Sequence, residues 1–120
     1  MTLDEAIQKT FNKYERAIAG SKEVWYEPCY LCQYALDRGV GCSSCPLQKK
    51  RSQIQKKCSQ ILYPSFDWIT RFYRYPKQWG KITSYWPITQ NCPRKTHKAK
   101  VRWLLKKRYN ELKGLLKDKL

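Results

Sequence analysis

The chain has 120 residues and six cysteines, enough for one domain whose buried surface alone leaves it marginally stable, so a bound metal is an expected further source of stability. It has no apolar run of about 18 residues, and Met1-Thr2-Leu3-Asp4-Glu5 carries acid where a secretory leader carries base, which argues against membrane and secretion and for a reducing cytoplasm. The net charge of +16 is one-sided: residues 1–45 hold five Lys/Arg and six Asp/Glu, whereas residues 46–120 hold twenty against three. A polyanion, nucleic acid first, is therefore the expected partner, with a merely solvated lysine-rich face as the alternative.

The first element is a helix over 3–19. Thr2-Leu3-Asp4-Glu5 fits a capping box, Leu3, Ala6, Ile7, Phe11, Tyr14 and Ile18 recur at three- and four-residue spacing, and Gly20 can end the helix. Lys9, Lys13, Glu15 and Arg16 fall on the other side and are expected to be exposed.

From 21 to 62 the chain is punctuated by Pro28, Gly39, Gly41 and Pro46 and has no long apolar period, with helical turns possible over 31–38 and 47–58. It carries two pairs, Cys29-x-x-Cys32 and Cys42-x-x-Cys45, separated by nine residues, and twelve residues then precede Cys58. Each Cys-x-x-Cys turn can set two thiolates on one tetrahedral Zn²⁺, at about 2.3 Å from sulfur. Cys29, Cys32, Cys42 and Cys45 are the expected ligands, and Cys58 could replace one of them. A four-cysteine iron–sulfur cluster is the alternative cofactor, although the close Cys-x-x-Cys-x-x-Cys order of bacterial ferredoxins is missing. A disulfide framework would require an oxidising compartment. Lys49, Lys50 and Arg51 follow the second pair and are candidate phosphate contacts.

Residues 63–93 form an aromatic segment, with nine of the seventeen aromatics between Tyr63 and Trp86. Most are expected in the core, where large rings supply much buried area. Arg71, Arg74, Lys77 and Lys81 are interleaved with them, as in base-stacking platforms and equally in aromatic clusters rimmed by long basic side chains. Cys92 and His97 could form a weak metal pair, but an ordinary buried thiol and an exposed histidine are the expectation.

The last element, over 94–120, is a basic amphipathic helix with Val101, Leu104, Leu105, Tyr109, Leu112, Leu115, Leu116 and Leu120 on one side. Lys100, Lys106, Lys107, Lys113 and Lys117 lie opposite, together with Trp103, which sits roughly 160° from the centre of the apolar stripe by the helical period. That ring either packs on the aromatic segment or stands ready to stack on a base.

The order Cys29-Tyr30-Leu31-Cys32, Cys42-Ser43-Ser44-Cys45-Pro46-Leu47, Cys58, Tyr63-Pro64 and Trp68, preceded by an amphipathic helix, resembles a group of small cysteine-rich phage and prokaryotic proteins without an assigned reaction. The resemblance covers about residues 1–70 and implies a shared metal-binding scaffold. Tyr30 stands where proline is usual in that group, and the basic 71–120 extension is not part of the shared pattern.

The sequence thus predicts a mainly α, small, metal-stabilised single domain over 1–120. The expected function is that of a zinc-stabilised nucleic-acid-binding protein, taking DNA or RNA. The alternative is a phage-type regulator or inhibitor that docks on a host protein or nucleoprotein complex. An enzyme is not expected, because one histidine and nine carboxylates suggest no acid–base or nucleophile–base set, and four thiolates close a zinc site.

Overall fold

The structure is a computed structural model that describes residues 1–39, 65–79 and 92–116. Every regular element among them is helical: α1 (Leu3–Ile18), a 3₁₀ turn (Glu23–Tyr26), α2 (Tyr30–Asp37), α3 (Phe66–Arg74), the single-turn α4 (Pro76–Trp79) and α5 (His97–Leu116). The expectations placed on Cys42, Cys45, Lys49, Lys50, Arg51, Cys58, Lys81 and Lys117 lie outside the described residues. No helix among the described residues is long and apolar enough to cross a membrane.

Each main helix starts at a residue that can accept an orphan amide. The Thr2 hydroxyl accepts from Glu5 N at 3.1 Å, Ser65 Oγ from Trp68 N at 3.4 Å and Thr96 Oγ1 from Ala99 N at 3.2 Å. The end of α1 is a Schellman turn, in which Gly20 at φ 101° lets Ser21 N reach Arg16 O and its own N reach Ala17 O. Asp4 and Glu5 in the first turn and Arg16 in the last complement the helix dipole.

Helix α1 packs on α2 and α5, and α5 also packs on α3. The shared core contains Ile7, Ile69, Leu104, Leu105, Leu112 and Leu116, all essentially inaccessible, and each contributes about 1.5–3 kcal/mol of burial. Aromatic edges lock the helices together: Tyr14 meets Phe66 at 5.1 Å between ring centres, and Phe11 meets Tyr109 at 5.7 Å. Tyr109 also donates to Glu15 Oε1 at 2.6 Å, tying α5 to the outer side of α1.

Two expectations need correcting. Lys13 is not exposed: it is 4% accessible, its Nζ donates to Pro28 O at 2.9 Å and lies 4.0 Å from the centre of the Phe66 ring. The chain after α1 folds back over this side of the helix and α3 covers it, so the apolar stripe is widened by a cation that has both an acceptor and a π-face. His97 is not an exposed start of α5 either. Its ring is half-buried, stacks on Phe72 at 4.8 Å, and its Nε2 lies 3.1 Å from Tyr73 O.

Residues 21–39 are more ordered than a metal-organised loop. Val24, Leu31 and Ala35 are buried in the common core, so the 3₁₀ turn and α2 are held by packing in their own right. Helix α2 covers most of the stretch expected to form a turn over 31–38.

Candidate metal centre and basic surface

The Cys29-x-x-Cys32 pair forms the N-terminus of α2. Cys29 is its N-cap, with Sγ accepting from Cys32 N at 3.4 Å, and both residues are exposed and reduced. The Cys29 thiol is lowered to about 6, chiefly by the hydrogen bond from the Cys32 thiol and further by backbone amides and the nearby Lys13 ammonium, against the opposing effect of burial. Burial in turn pushes Lys13 below its ordinary value, while Cys29 and Glu27 pull it upward.

The approach to the pair is fixed by a second set of contacts. Glu27 accepts from Arg16, with Nη2 to Oε1 at 2.7 Å, and from the Tyr30 hydroxyl at 2.6 Å. The Arg16 guanidinium holds the Glu27 carboxyl below its ordinary range, and Tyr30 acts in the same direction. Tyr30 thus anchors the Cys turn to α1 through Glu27 and Arg16.

Two exposed thiols on one turn, one of them inclined to ionise near neutral pH, suit a soft-ligand metal such as Zn²⁺. They supply two of four donors. Among the described residues no group of three or more His, Cys, Asp or Glu converges, and the other expected donors lie outside that set. Cys92 is half-buried with a free thiol, and His97 Nε2 is engaged with Tyr73 O.

The basic surface is built mainly by α5. Lys106, Lys107 and Lys113 are exposed, and Lys100 is half-buried. Lys107 Nζ lies 5.7 Å above Trp103, and Lys113 Nζ 4.4 Å above Tyr109. Trp103 is half-buried against the core cluster on one side and has Lys107 beside it. Lys98 and Arg102 are also exposed and join the expected set, and their i, i+4 spacing with Lys106 is the signal in the sequence that marks them. The carboxylate within α5, Glu111, turns inward to Arg108 at 2.7 Å, so it does not offset the outer cations.

On α3, Arg71 and Arg74 are exposed, as is Lys77 on α4. Their charges are engaged to different degrees. Arg71 pairs with Asp67 at 3.3 Å, and Arg74 lies 4.8 Å from the centre of the 80% exposed Tyr26 ring.

A groove of about 350 Å³ runs between the end of α1 and the first turns of α5. Trp25, Tyr73 and His97 line it as a run of near-parallel rings, with Trp25 and Tyr73 at 4.5 Å and 10°, and Tyr73 and His97 at 6.3 Å and 18°. Lys22, Lys98 and Arg102 stand around the same opening, and no carboxylate among the described residues lines it.

Comparison with protein-family models, curated proteins and solved structures finds no match to this chain.

Proposed function

We propose that this chain is a zinc-stabilised, basic nucleic-acid-binding protein whose C-terminal half contacts phosphates, with the outer face of α5 as the principal contact. The observation that carries the reading is the uncompensated cation row on that face. Lys98, Arg102, Lys106, Lys107 and Lys113 are exposed along it, and Glu111, the carboxylate among the described residues of α5, turns inward to Arg108. Like charges four residues apart on a helix repel by about 0.2–0.5 kcal/mol per pair, and the ladder Lys98, Arg102, Lys106 contains two such pairs. A row that weakens its own helix gains most from a partner carrying the opposite charge. One step of the ladder advances about 6 Å along the axis, a spacing over which a duplex presents several phosphates.

In this reading zinc joins Cys29 and Cys32 to Cys42 and Cys45, with Cys58 as the alternate donor. This would fix the chain leading into the basic half. The spacing of the two Cys-x-x-Cys pairs in the sequence supports such a scaffold. No reaction is assigned, since four thiolates leave zinc no open position.

The test is titration of the full chain with bare DNA and RNA at several salt concentrations. Five phosphate contacts correspond to a slope of log K against log salt of about −3.5 to −4.5. Tight binding to one protein with none to nucleic acid would favour the docking regulator instead.

A further inference from the structure

We infer that the groove between the end of α1 and the start of α5 takes one nucleotide, stacking an unpaired base on its ring run and seating the phosphate among its cations. Where the nucleotide belongs to a strand, the inference rests on the nucleic-acid reading above; a free nucleotide would be recognised by the same chemistry.

Three features of the groove converge on that ligand. The rings are half-buried rather than sealed: Trp25 packs on Phe66 at 5.2 Å behind it, while Trp25, Tyr73 and His97 all face open volume. Phe66 backs Trp25 and Phe72 backs His97 at 4.8 Å, so a flat aromatic ligand would pack along the open side of the run, where Tyr73 neighbours both rings. The volume of about 350 Å³ is at the small end of ligand pockets and suits one base, not a base pair.

The charge around the opening specifies an anion on that ligand. Lys22 arrives from beyond α1, and Lys98 and Arg102 from α5; the side chains of these three form no ion pair or hydrogen bond with a described residue, and no described acid lines the groove. The amino end of α5 opens here as well and adds its positive dipole. A base held in a duplex is stacked and paired and cannot enter, so the groove predicts preference for single strands over duplex.

His97 is the only histidine in the chain, so its imidazole carbon-bound protons give one unambiguous set of NMR signals. The full-length protein is titrated separately with adenosine monophosphate, inorganic phosphate, a mixed-sequence single strand and the same sequence as duplex. Adenosine monophosphate and the single strand are expected to move the His97 signals upfield by ring current, whereas phosphate alone and duplex, which bring charge without a stacked base, should shift them less and without that upfield component.

A matched pair of double variants, all at exposed positions, reads the same site through affinity. Lys98→Ala with Arg102→Ala should weaken single-strand binding about tenfold more than Lys106→Ala with Lys113→Ala, which removes equal charge from the same helix outside the groove. Duplex binding should fall equally for both pairs.

Strand binding that leaves His97 unmoved, with both pairs costing the same, overturns the groove and leaves the wider reading standing. A His97 shift with adenosine monophosphate but no strand binding assigns the groove to a free nucleotide and sinks the wider reading. No shift and no binding with any probe sinks both.

Discussion

Replacing Arg102 by glutamate should make the free protein more stable while making it a poorer binder. Arg102 is exposed and stands four residues from both Lys98 and Lys106, so it takes part in two repulsive pairs. Each costs about 0.2–0.5 kcal/mol, and reversing the central charge turns both into attractions of similar size, a swing of about 0.8–2 kcal/mol. One new pair has the less favourable order, lysine before carboxylate, so about 1 kcal/mol is expected, or roughly 3–5 °C in melting temperature for a domain of this size. Arg102→Gln removes repulsion without adding attraction and should give about half of that gain. Thermal unfolding followed by circular dichroism at low salt and near 1 M salt checks the origin, since a Debye length of about 3 Å at 1 M should erase most of the gain. A lower melting temperature for Arg102→Glu, or a gain that persists in high salt, would refute the claim that the row repels itself.

Protein purified without added metal should hold about one zinc per chain, lost in Cys29→Ser or Cys32→Ser; elemental analysis decides, and a brown iron–sulfur absorption would replace zinc with a cluster. Glu111→Gln removes the ionised carboxylate that lies 2.7 Å from the Arg108 guanidinium, whose side chain is 2% accessible, and urea unfolding should show a loss of stability, with an unchanged midpoint refuting a role for the pair. Because Arg16 holds the Glu27 carboxyl below its ordinary value of 4.5, that carboxylate adds stability that is fully present above 4.5 and lost as pH falls through the lower folded value. Glu27→Gln should therefore flatten the fall in melting temperature below pH 4.5, and an unchanged acid limb would show that the Arg16 contact contributes nothing.

The helices themselves were legible because their signals are local. Thr2 and Gly20 bound α1 through hydrogen bonds within a few residues, and the 3.6-residue period of α5 places Leu104, Leu105 and Leu112 inside. What the period does not carry is which distant segment covers a helix. Lys13 reads as solvent-facing because its acceptor on Pro28 and its ring on Phe66 come from elsewhere in the chain. The same holds for His97, whose place is set by Phe72 and the backbone of Tyr73. Cys29 and Cys32 stand out in the sequence as a thiol pair, but the role of Cys29 as cap of α2 does not, since cysteine is not among the favoured capping residues. Trp103 shows the converse, a ring that the period sets opposite the core and that is nonetheless half-buried against it.

The central claim is that the outer face of α5 meets a phosphate backbone, and the salt dependence of one variant tests it most directly. Lys106→Ala, Lys107→Ala and Lys113→Ala combined remove three exposed cations and leave the inward side of the helix untouched. The slope of log K against log salt for a mixed-sequence oligonucleotide should become shallower by about 2–3 relative to the unaltered chain, with affinity falling alike for all sequences. A slope and affinity equal to those of the unaltered chain would contradict the account and leave the row as a solvated face.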